Sequence, residues 1–101
     1  MKVIWSKESL SRLIEIEEFI AEDNPIKAVE FTDFILSKSL IIEANPKIGR
    51  IVPEISEPDI GEFIITAFRL VYRLRKERID ILTVFEGHRQ IRKSELFTIE
   101  E

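Results

Sequence analysis

The chain has 101 residues, 45% of them hydrophobic and 34% charged, and a net charge of −4; this fits one compact soluble domain spanning residues 1-101, able to bury roughly 60–70% of the surface of its unfolded chain, and excludes a disordered segment. The absence of cysteine and the single histidine exclude a disulfide framework, a thiolate metal site and a histidine-based zinc site. No apolar run is long enough to span a bilayer, the N-terminus does not read as a signal peptide, and the acidic balance weighs against tight nucleic-acid binding, although a local basic face stays open.

In chain order, Lys2 to Trp5 (KVIW) reads as a first strand, with Trp5 expected in the core. Ser6 or Ser9 offers an N-cap. From Ser9 to Glu22 the apolar residues Leu10, Leu13, Ile14, Ile16, Phe19 and Ile20 recur at helical spacing, opposite a solvated face of Arg12, Glu15, Glu18 and Glu22. Asp23-Asn24-Pro25 stops this helix and starts the next, because Asn or Asp caps and proline suits a first turn. The second helix is predicted from about Ile26 to Glu43, and its apolar set (Ala28, Val29, Phe31, Phe34, Ile35, Leu36, Leu40, Ile41, Ile42) is wider than one core stripe. Two readings follow: a helix buried on most sides, or an apolar strip left for a partner. Asn45-Pro46 ends it, and the proline- and glycine-punctuated segment Lys47 to Gly61 reads as a loop.

Phe63 to Arg89 holds the strand signals. Phe63 to Ala67 reads as one strand, and two further apolar runs flank the charged break Arg75-Lys76-Glu77-Arg78 as a hairpin. Alternation would place Phe68, Leu70, Tyr72 and Leu74 on one face and Arg69, Val71, Arg73 and Arg75 on the other; in the return run, Ile79, Ile81, Thr83 and Phe85 would share a face. The tail, Gln90 to Glu101, supports no firm assignment. The predicted order is β-α-α-β-β-β, an α+β domain with an antiparallel sheet packed on an N-terminal helical hairpin.

The run DNPIKAVEF, the stretch NPKIGRIVPE, the phrase FRLVYRL and the ending FEGHRQI occur in this order and spacing. Together they resemble the RelE/ParE superfamily of bacterial toxins from type II toxin–antitoxin (plasmid stabilisation) systems, over Val3 to about Ile91, and the motifs lie closer to the ParE branch. The resemblance implies a toxin fold of that architecture, cytoplasmic action, no cofactor, and a cognate antitoxin bound in a hetero-oligomer such as a heterotetramer. ParE-like members inhibit DNA gyrase; RelE-like members are ribosome-dependent mRNA endoribonucleases. The ParE-like reading implies no direct DNA binding by the toxin alone. The sequence departs from the ParE pattern at Gly61-Glu62, where an Arg-Glu pair is usual.

A metal-independent ribonuclease needs a general acid, a general base and cations aimed at the developing phosphate charge. Under that reading His88, Arg69 and Arg73 form the site, with Glu54, Glu62 or Glu86 as base. A sheet face dense in arginine on an acidic chain reads equally as solvated or carboxylate-paired. Under the binding reading, Arg69, Arg73, Arg75 and Arg89 receive the carboxylates of an acidic antitoxin segment, while Phe31, Phe34 and Ile35 receive its apolar face. Arg50, Glu54, His88 and Arg89 are the expected target contacts; an inactive member would keep antitoxin binding alone.

Overall fold

The computed structural model describes residues 1–65 and 67–86. The predicted order holds, with one strand added: β1 (Lys2–Trp5), α1 (Lys7–Asp23), α2 (Pro25–Ala44), β2 (Arg50–Ile51), β3 (Ile60–Ile65), β4 (Phe68–Leu74) and β5 (Arg78–Glu86). The five strands lie in the order β1-β5-β4-β3-β2. β2 to β5 form an antiparallel meander, and β1 joins it parallel to β5.

The helix ends follow from their caps. Of the two candidates, Ser6 caps α1: its Oγ accepts the Ser9 N–H at 3.0 Å. The same residue ties the helix start to the sheet, its N–H donating to the Ile81 carbonyl and its hydroxyl to the Leu82 carbonyl. Asn24 alone separates the helices. Its N–H closes α1 on the Ile20 carbonyl, its Oδ1 accepts from Lys27 N–H at 3.1 Å, and Pro25 fills the first turn of α2. Across the hairpin, the Thr32 hydroxyl donates to the Glu17 carboxylate.

Both faces of the sheet are covered. The helices cover one, where Leu13, Ile35 and Ile42 meet Ile65, Leu70, Tyr72, Ile79, Ile81 and Val84, and half-buried Trp5 packs at the margin. The segment between β2 and β3 covers the other, where Val52 and Ile55 meet Ile60, Val71, Leu82 and Phe85. Three sequence expectations change here. The segment read as a loop contributes β2 and the start of β3, because its prolines and glycines mask a strand of only two residues. α2 is not buried on most sides: a single helical layer covers one side of it, leaving Val29, Phe34, Leu36, Leu40 and Ile41 exposed. Finally, the register passes from Val71↔Thr83 to Tyr72↔Ile81, so Leu82 is an extra residue in β5. This bulge breaks the alternation, moving Val84 to the helix side with Ile79 and Ile81 and Phe85 to the opposite side with Leu82.

Candidate functional site

The helix-free face of the sheet carries a chain of four charged residues. Glu62 sits opposite Val71 on β4 and opposite Arg50 on β2, so its diagonal neighbour is Arg69. Its carboxylate is fully buried and accepts Arg69 Nε at 2.5 Å on one oxygen and Arg50 Nε at 2.6 Å on the other. Arg69, whose side chain is 5% exposed, also makes a two-pronged bond with Glu54, its two terminal nitrogens each 2.8 Å from a carboxylate oxygen. Glu54 is held over Arg69 by the turn that follows β2, where the Val52 carbonyl accepts the N–H groups of Ile55 and Ser56. The hydrogen bonds that Arg69 donates to Glu54 lead the effects that raise its pKa above the ordinary value, so this guanidinium stays charged.

Two cations and two anions therefore neutralise one another beneath the loop. Breaking such a pair from one side leaves a buried charge without compensation, at a cost of about 3–5 kcal/mol. Arg50, with a 63% exposed side chain, is the member that meets solvent. Arg73 continues the row, its Nε 2.7 Å from Asp59, and Arg75 bonds Asp80 at 3.1 Å.

Tyr72 anchors the loop from the helix side. Its hydroxyl donates to the Pro46 carbonyl and accepts the Gly49 N–H, each at 3.0 Å. A Cβ on Gly49 would lie 2.5 Å from both this hydroxyl and the Glu62 carbonyl oxygen. At Gly61, the position of the departure from the ParE pattern, an added Cβ would lie 3.1 Å from the Tyr72 ring. The spacing Pro46, Gly49, Gly61 and Tyr72 is thus a single wedge that fixes β2 against β3. Among the described residues, no group of acidic or histidine side chains is arranged to hold a metal ion.

The sequence-predicted residues separate into distinct sets. Arg50, Glu54 and Arg69 come together, and Arg73 lies beside them. Arg69, expected to receive antitoxin carboxylates, is buried and engaged by Glu54 and Glu62. Ile35, expected to receive the antitoxin's apolar face, is fully buried in the core. Phe34 is exposed beneath Lys38, while Phe31 is half-buried, with its ring 5.1 Å from that of Phe68. His88 and Arg89 lie outside the described residues, as does the side chain of Glu86. Glu62 was weighed only as a base. Its structural part follows from the β3–β4 register, which pairs Ile65 with Phe68 and so places Glu62 diagonal to Arg69.

Comparison with known proteins accords with this architecture. The family model described as "ParE toxin of type II toxin-antitoxin system, parDE" matches residues 3–91. No curated protein gives a significant match. A solved chain from the chromosomal ParDE TA system from P. aeruginosa superposes with a TM-score of 0.72, at 18% identity over 85% of this chain and 95% of that one; this likeness shows the shared fold. With the family match covering nearly the whole chain, its four motifs and its architecture in place, the chain belongs to the ParE toxin family of type II toxin–antitoxin systems.

Proposed function

We propose that this toxin acts in the cytoplasm by binding DNA gyrase and is neutralised by a cognate antitoxin in a hetero-oligomer. The observation that carries this reading is the pairing of the sheet-face arginines. Arg69 bonds Glu54 and Glu62, and Arg73 bonds Asp59. Cations that a ribonuclease would aim at a phosphate are here compensated by the protein's own carboxylates, which favours binding over phosphoryl chemistry. The target contact is Arg50, the solvent-facing end of the network, with His88 and Arg89 from the family ending. The antitoxin covers the exposed apolar strip of α2, including Phe34, and half-buried Phe31 lies beside it.

Expression without antitoxin tests toxicity, and purified toxin with gyrase and plasmid tests the target. The expected result is growth arrest with accumulation of gyrase–DNA cleavage complexes. Codon-periodic cuts in ribosome-bound mRNA, lost in His88→Ala, would overturn the gyrase reading in favour of the endonuclease. Normal growth would assign the chain to inactive members that keep only antitoxin binding.

A further inference from the structure

Positive charge is concentrated at one end of the sheet. Lys2 opens β1 in register with Arg78, which opens β5. Arg75 follows β4, and its N–H donates to the Arg78 carbonyl at 2.8 Å. These residues line a shallow bowl of about 700 Å³ together with Lys76 and Glu77. Asp80 draws the two arginines together, at 3.1 Å from Arg75 and 2.9 Å from Arg78. Neither Lys2 nor Lys76 has a carboxylate partner among the described residues, and both are exposed. Four cations against Glu77 and Asp80 give this end a charge of +2, in a chain whose total is −4, so the remainder carries −6.

Contrary to the expectation that the toxin alone does not bind DNA, we propose that this end of the sheet is a contact surface for the phosphodiester backbone of duplex DNA. Every residue lining the bowl is charged. Its only apolar surface is the stems of those charged side chains, and no aromatic residue among them offers a platform of the kind that holds single-stranded bases. What it can recognise is a rigid array of negative charge. The cations are spread across three adjacent strands, β1, β5 and β4, about 10 Å at ~4.8 Å per strand. One strand of a duplex presents a phosphate about every 3.4 Å of helix axis, so the row spans two to three phosphates. Contacts of this kind position a protein without reading sequence. The net acidity of the chain does not oppose them at the site; it makes the approach end-on, because the rest of the surface is repelled. The proposal stands on the charge of the sheet end and does not rest on gyrase being the target.

The test is fluorescence anisotropy of a labelled duplex of about 20 base pairs with the purified chain, titrated between 50 and 200 mM salt. With two to three phosphates neutralised, affinity should fall roughly 10- to 40-fold across that range. Lys2→Glu and Lys76→Glu should each weaken binding equally for unrelated sequences and reduce the salt slope by about one. Lys27→Glu, on the exposed start of α2, should not. Circular dichroism of each variant separates loss of contact from loss of fold. The proposal is overturned if duplex binding is absent or the charge reversals leave the slope unchanged. It is also overturned if a polyglutamate peptide or a single strand of equal charge binds as tightly as the duplex.

Discussion

At Glu62 a carboxylate with no solvent contact holds two arginines, so its charge and theirs are mutually dependent. Glu62→Gln keeps the shape and removes the charge, leaving Arg69 with Glu54 alone; the expected cost is about 3–5 kcal/mol, read as a lower denaturant midpoint at unchanged slope. A Glu62→Leu/Arg69→Met double variant should cost less than Glu62→Gln, because it leaves no unpaired charge at these two positions; a larger cost would show that the network is not acting as a unit. Tyr72 gives a pH-dependent counterpart. Burial raises its pKa above the ordinary value, outweighing the opposing hydrogen bond from Gly49. The unfolded chain therefore releases this proton first, and its contribution to stability is complete below about pH 10 and lost as pH rises further. Tyr72→Phe should lower stability by about 1–3 kcal/mol at neutral pH, since the Pro46 carbonyl and Gly49 N–H lose their partner. It should also flatten the alkaline decline, and equal slopes for both proteins above pH 10 would rule out Tyr72 as its source.

At the scale of the elements, α2 separates two kinds of apolar residue that composition cannot distinguish. Ile35 is fully buried, whereas Leu40 is 61% and Val29 58% exposed. Ile35→Ala should cost about 2–5 kcal/mol, while Leu40→Ser should stay within about 0.5 kcal/mol, both measured by chemical denaturation. The limits of the helices were legible because serine, asparagine and proline act locally: Asn24 and Pro25 determine the turn whatever surrounds them. The face of β4 that carries Arg69 and Arg73 was legible for the same reason, since period two is a property of one strand. The partners of those arginines were not. Glu54 reaches Arg69 from a segment whose prolines conceal both its short strand and its buried Val52 and Ile55. The β5 bulge at Leu82 was hidden too, because an inserted residue changes which side chains share a face without changing the apolar composition of the run.

The described residues form one helical layer, one sheet and one covering segment, with a large apolar surface left on the outer side of α2. Exposing Val29, Leu36, Leu40 and Ile41 to water is a standing liability toward association. A partner that covers this face binds the folded toxin and not the unfolded chain, so it must raise the apparent stability by mass action. At a free antitoxin concentration one hundred times its dissociation constant, the gain is about 2.7 kcal/mol. For a domain near this size each kcal/mol moves the melting temperature by about 4–8 °C, so the proposed complex should melt roughly 10–20 °C above the free toxin. Replacing Val29, Leu36 and Leu40 together by serine should leave the melting of the free toxin nearly unchanged, since none of the three is in the core, and should remove most of the shift. Differential scanning calorimetry with and without antitoxin reads both quantities. A shift of undiminished size in the triple variant would place the antitoxin elsewhere, whereas a lowered melting point of the free toxin would mean that the strip already supports the fold.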